Sequence, residues 1–215
     1  MKKPVWDLPI RLVHWLLAAL ILFSWWSVRT HHTDWHIWSG CAILALLIFR
    51  LLWGFAGSST ARFATFVRGP RGVADYFRGR WTGVGHNPLG ALSVIALLGA
   101  VAIQVGLGLV AEDEDGLYTG PLYRLVSIDT SDRARDLHEN WFKVILALIA
   151  LHVVAILYYR LRGRGLLGPM ITGKAVLDPG TEPMQPGKWW AALICLAVAI
   201  GITRWVIAGA PPFGS

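Results

Sequence analysis

The stretch from Asp136 to Arg160, DLHENWFKVILALIALHVVAILYYR, is long and apolar enough to be one membrane-spanning helix, and it carries two histidines, His138 and His152. They stand fourteen residues apart, nearly four full helical turns, so both imidazoles fall on almost the same face. A rise of ~1.5 Å per residue puts them ~21 Å apart along the axis, in a hydrocarbon layer ~30 Å thick. One therefore lies near one membrane surface and the other well toward the opposite surface. Ionisable groups inside such a helix are costly and usually functional. Two imidazoles on one face at two depths suit two stacked cofactors, and haem is the cofactor that paired imidazoles serve best. The simpler alternative is that His138 caps the helix end and His152 hydrogen-bonds a neighbouring helix.

The rest of the chain is of the same kind. Charged residues make up 15% of the 215 and hydrophobic ones 55%, with a mean hydropathy of +0.51. A soluble domain has about 25% charged residues, so this is a membrane protein. Apolar runs at roughly 9–28, 35–55, 89–111, 136–160 and 188–208 predict five spans. The basic N-terminus MKKPVWDLPIRLVHW lacks a following small-residue cleavage site and reads as part of a retained first span. Trp25, Trp26, Trp35, Trp38, Trp189 and Trp190 stand where interfacial anchors belong. Gly90, Gly99, Gly106 and Gly108 in the third run allow close helix packing. Cys41 and Cys195 lie inside apolar runs, and no Cys-x-x-Cys-His occurs, which excludes covalent haem attachment as well as zinc or iron–sulfur spacing.

Charge sets the orientation. The N-terminus, the segment between the second and third spans and the connector before the fifth together hold 14 of the 20 Lys and Arg. The other side holds nine of the 13 acids. By the positive-inside rule the basic side is cytoplasmic, with the N-terminus inside and the C-terminus outside. The segment 56–87 alternates Arg62, Arg68, Arg71, Arg78 and Arg80 with Phe63, Phe66, Tyr76 and Phe77, a pattern suited to an anionic membrane surface. Nucleic acid is not an expected partner.

Orientation gives each histidine a depth. His14, early in the first span, and His152 fall in the cytoplasmic half. His36, in the first turn of the second span, and His138 fall in the periplasmic half. Two depth-matched pairs result, His14 with His152 and His36 with His138, as six-coordinate haem requires of facing helices. His31 and His32, in the loop before His36, are alternatives to it, but a loop holds a ligand less firmly. Arg11 and Lys143 are candidates to pair with haem propionates. His86 and Asn87 open the third span, with Asn87 placed as N-cap and Pro88 at the first helical position. The acidic outer loop, with Tyr118 and Tyr123, is a candidate docking face for a basic or haem-carrying partner.

RLVHW (Arg11–Trp15), FRLLWG (Phe49–Gly54) followed by ARF (Ala61–Phe63), GHNPLG (Gly85–Gly90) and the two histidines fourteen apart resemble the bacterial di-haem cytochrome b561 family, over about residues 4–175. That family includes the b-type cytochrome subunits of NiFe hydrogenases and formate dehydrogenases. The resemblance implies an all-α polytopic bundle, with a four-helix haem-binding domain at 1–175 and a connector and fifth span at 176–215. It implies two non-covalent haem b groups on the same two histidine pairs, and a quinone site near the inner haem at His86. The expected protein is an electron-transfer subunit of the bacterial cytoplasmic membrane. It joins a periplasmic partner, hydrogenase-, dehydrogenase- or cytochrome c-like, to the quinone pool. Two other readings are a stand-alone relative oxidising a small periplasmic reductant such as superoxide, and a haem-free transporter or assembly factor.

Overall fold

The computed structural model describes residues 2–81, 83–177 and 180–213. It is a helical membrane protein. Five helices are long and apolar enough to cross a bilayer: α1 (Leu8–Arg29), α2 (Thr33–Ala56), α5 (Pro88–Val110), α6 (Ile128–Leu161) and α8 (Trp189–Ile207). Three shorter helices lie between them: α3 (Phe63–Phe66), α4 (Pro70–Phe77) and α7 (Leu167–Thr172). A short strand β1 (Lys2–Pro4) pairs antiparallel with β2 (Lys174–Val176).

The span limits agree with the apolar pattern within about two residues, except at α6. That helix begins at Ile128, two turns before the expected Asp136, and runs for 34 residues. At ~1.5 Å per residue this is ~51 Å, well beyond a ~30 Å hydrocarbon layer, so its polar opening DTSDRARD stands clear of lipid. Local chemistry explains the early start. The Thr130 N–H donates to Ser127 Oγ at 3.3 Å, a cap. Asp129 sits in the first turn, favourable to the helix dipole. Ser131 Oγ donates to the Val110 carbonyl at 2.8 Å and fills one of the open acceptors ending α5.

The chain folds as two compact units. The first comprises 1–14, 50–97 and 148–195, the second 15–49, 98–147 and 196–215. The first holds 14 of the 20 basic residues, and the second nine of the 13 acids. They are called the basic and the acidic unit below.

The basic unit is tied together around Asp7. Its Oδ1 accepts the Ile10 N–H at 2.7 Å, capping α1. Its Oδ2 accepts the indole N–H of Trp53 at 2.9 Å, and Trp53 is 2% exposed. Thr60 Oγ1 donates to the Val5 carbonyl at 2.8 Å, and Met184 N donates to Pro4 O at 3.0 Å. The N-terminal strand is thus held by three distant parts of the chain.

Segment 56–87 departs from the surface reading. Phe66 is buried, and the Phe63 and Phe66 rings cover the guanidinium of Arg50 at 4.9 and 5.9 Å. A cation inside a span needs such cover, which is why these aromatics turn inward while Phe77 stays exposed. The third-run glycines also differ from expectation. Gly99 and Gly106 face open space, Gly90 lies only against its own cap residues, and Gly108 alone of the four is pressed against another element.

Asp7→Ala removes the α1 cap and the Asp7–Trp53 hydrogen bond. It is expected to lower stability by about 1–3 kcal/mol, read as a fall in the thermal transition of the detergent-solubilised protein. Asp7→Asn keeps the cap and is expected to fall less.

Candidate functional site

In the acidic unit α2 brings His36 opposite His138 of α6, with ring centroids 5.8 Å apart and the rings near-perpendicular at 84°. Each ring is held by its Nδ1. His36 Nδ1 lies 3.0 Å from the Ser24 carbonyl oxygen and 3.0 Å from Ser24 Oγ. His138 Nδ1 lies 2.9 Å from the Gln104 carbonyl. A carbonyl can only accept, so Nδ1 carries the hydrogen in both rings and Nε2 keeps its lone pair for a ligand. This arrangement fixes the tautomer and orientation of a metal-binding imidazole.

Gly108 makes the His138 contact possible. A Cβ at Gly108 would stand 2.8 Å from His138 Cε1 and 3.1 Å from its Nδ1. The ring therefore lies directly on the α5 backbone, in reach of the Gln104 carbonyl one turn earlier. Gln104 Nε2 donates in return to the His138 carbonyl at 3.0 Å. On α2, Gly40 is one turn beyond His36 on the same side, and nothing lies within 4 Å of where its Cβ would be.

In the basic unit α1 brings His14 opposite His152 of α6, with centroids 6.3 Å apart and rings tilted by 50°. An iron joined to two imidazoles by ~2 Å bonds sets their centroids about 6 Å apart. Both pairs have that spacing. Among the described residues no three His, Cys, Asp or Glu side chains gather into a site for a bare metal ion. Two imidazoles are what an iron already held by a porphyrin requires. The residues present therefore fit haem.

The sequence model of prokaryotic cytochrome b561 matches residues 5–173. The chain belongs to that family. No curated protein and no solved structure matches it. Prokaryotic cytochromes b561 are multi-pass membrane proteins that bind b-type haem and carry electrons.

Within this cytochrome the other candidate residues are placed differently from one another. His36, rather than His31 or His32, is the ring across from His138. His32 is stacked on Trp35 at 4.5 Å and on Trp26 at 6.2 Å, and its Nδ1 lies 3.1 Å from Thr30 Oγ1. Arg11 donates through a terminal guanidinium nitrogen to the Ile171 carbonyl at the end of α7, while its Nε is buried without a partner. Lys143 is exposed, five residues or about 140° around α6 from His138, and its Nζ donates to Asn140 Oδ1 at 2.9 Å. The structure does not bring it to the histidine face.

His86 is half-buried rather than exposed as a bare helix start would be. Its ring is packed between Trp6 at 4.5 Å and Phe66 at 4.8 Å, with Nδ1 buried and without a partner. Burial, then the charges of Arg50, His14 and His152, push it down to about 3, so the imidazole is neutral at physiological pH. Asn87 is an N-cap in the structure, its Oδ1 accepting the Gly90 N–H at 2.7 Å. Its Nδ2 donates to the hydroxyls of Tyr159 at 2.9 Å and Tyr76 at 3.3 Å.

Sequence reasoning missed Ser24, Gln104 as an anchor, Gly108 and Arg50. The one sequence signal for Gln104 is a lone amide in an apolar run, and its partner lies 34 residues away in the chain. Ser24 and Gln104 act partly through main-chain carbonyls, which every residue has.

Gly108→Ala is expected to drive His138 off the Gln104 carbonyl. In the haem-loaded protein the electron paramagnetic resonance signal of one haem should shift or be lost while the other is unchanged. Equal change at both, or none, would show that Gly108 does not seat this ring.

Proposed function

We propose that this protein is a di-haem electron-transfer subunit that passes electrons between a periplasmic redox partner and the membrane quinone pool. The observation that carries the reading is the two imidazole pairs with centroids 5.8 and 6.3 Å apart, each contained within one compact unit. His36 and His138 would hold one haem b, and His14 and His152 the other. When bound, these haems supply reversible one-electron chemistry between ferrous and ferric iron.

The chain's own residues do the rest. Ser24 and the Gln104 carbonyl hold the acidic-unit imidazoles in one orientation, with Nε2 left bare. The apolar spans exclude water from the four rings. The segregation of 14 basic residues into one unit supports a cytoplasmic side there, and hence an N-terminus inside and a bacterial cytoplasmic membrane location. Glu112, Asp113, Glu114 and Asp115 in the acidic unit then face the periplasm, and their charge suits a basic or haem-carrying partner. The haem-binding domain is taken as 1–175, with 176–215 adding a connector and one further span. The ends of that range, Met1 and Ser215, lie outside the described residues.

The quinone headgroup is assigned to the basic unit, bordered by His86 and Asn87 at the start of α5. The supporting features are a neutral imidazole and an amide hydrogen-bonded to two phenols, side by side at the start of a long helix.

A pyridine haemochrome assay should give two haem b per chain, and one or none defeats the proposal. His36→Ala and His138→Ala should remove the same haem, and His14→Ala and His152→Ala the other. The double variant His86→Ala, Asn87→Ala should keep both haems and their reduction by a periplasmic-side donor, yet slow quinone reduction by about tenfold. Unchanged quinone kinetics would leave those residues as a helix start only.

A further inference from the structure

At the end of α6 where Arg160, Arg162 and Arg164 crowd, the basic unit opens into a cavity of about 380 Å³. Its walls are Tyr76 and Phe77 at the end of α4, Trp81, Leu89, and Tyr158, Tyr159 and Arg164. A second hollow of about 310 Å³ shares Tyr76, Tyr158, Tyr159 and Arg164 and adds Arg162. Among the described residues no carboxylate lines either cavity. The site combines hydrogen-bond donors and positive charge with aromatic and aliphatic surface.

The donors can be counted. The Tyr76 and Tyr159 hydroxyls bond each other, which uses one of their two O–H hydrogens. The Asn87 amide donates to both oxygens and so takes up acceptor capacity only. One phenol hydrogen is left with no acceptor among the described residues. Burial and the Tyr159 bond push Tyr76 up to about 12, so the Tyr76 hydroxyl keeps its hydrogen. Arg162 is already stacked over Tyr158 at 5.5 Å and donates to its hydroxyl at 3.2 Å. No side-chain hydrogen bond or ion pair holds Arg164 among the described residues.

We propose that this cavity binds the phosphodiester headgroup of an anionic phospholipid, held by Arg164, Arg162 and the Tyr76–Tyr159 hydroxyl pair, with its acyl stem along Phe77, Trp81 and Leu89. Guanidinium groups and a phenol donor match phosphate oxygens. A cavity of this size suits a headgroup. The end of a span is the depth at which headgroups lie, and basic pockets there favour anionic lipids. A neutral benzoquinone carbonyl gains from one donor but little from two full positive charges, so the charge balance favours the phosphodiester.

The test uses the full-length, haem-loaded protein, delipidated in detergent and titrated with phosphatidylglycerol or phosphatidylcholine under native mass spectrometry. Phosphatidylglycerol should bind about tenfold more tightly than phosphatidylcholine, and the variant Arg162→Gln, Arg164→Gln should abolish that preference. Tyr76→Phe, which leaves both arginines, should weaken phosphatidylglycerol binding by about threefold, and it serves alone if the double variant does not load haem. The proposal is overturned by equal binding of the two lipids or by a preference that survives the arginine substitutions. Displacement of phosphatidylglycerol by inorganic phosphate alone would make this a free-anion site. Displacement by a short-chain benzoquinone would make it the quinone pocket.

Discussion

A histidine in a lipid-embedded helix must have one ring nitrogen satisfied before the other can serve as a ligand. Water is absent from the hydrocarbon layer, so the partner must come from protein. In the acidic unit the partners are main-chain carbonyls of neighbouring helices, Ser24 for His36 and Gln104 for His138. These bonds decide tautomer, ring direction and the 5.8 Å spacing together. Gly108 follows from the same requirement, since a methyl group there would occupy the place of the imidazole. The His36–His138 pair is a property of four helices, α1, α2, α5 and α6, although only two of them carry histidine to it.

The basic unit meets a different problem. It must keep Arg50 at 5% exposure inside a span. Phe63 and Phe66 lie over the cation, and the same Phe66 forms one wall of the slot that holds His86. Asp7 sits close enough to add a favourable charge, while its two oxygens cap α1 and bind Trp53. A charged side chain, a capped helix and an aromatic slot are thus built from one set of contacts. Shared use of this kind explains why a polar connector, which by composition belongs on a membrane surface, folds partly inward.

The arginines that set the charge asymmetry are not all alike. Arg50 is covered by aromatic rings, and Arg11 donates to the Ile171 carbonyl at the end of α7. Arg162 and Arg164 line open cavities with phenols and no acid. Net charge alone treats these groups as equivalent, and burial and partners separate them.

The primary sequence by itself determined the helical class, the five spans, the charge asymmetry and the shared face of the two α6 histidines. These follow from hydropathy, helix pitch and the cost of charge in lipid, which act along one segment at a time. His138 and His152 share a face because fourteen residues make nearly four turns, whatever the surroundings. The early start of α6 was legible in principle, in Ser127 and Asp129, but its polar first turns hid it from a hydropathy reading. The tertiary structure alone decided which groups face each ring. Ser24 and Gln104 are reached through space and bind partly through carbonyls that carry no sequence signature. Lys143 and His86 show the same limit from the other side. Helix rotation turns Lys143 away from His138, and packing shuts His86 between Trp6 and Phe66. Residue type and depth named the candidate histidines, and only the packing of separate helices could say what holds them in place.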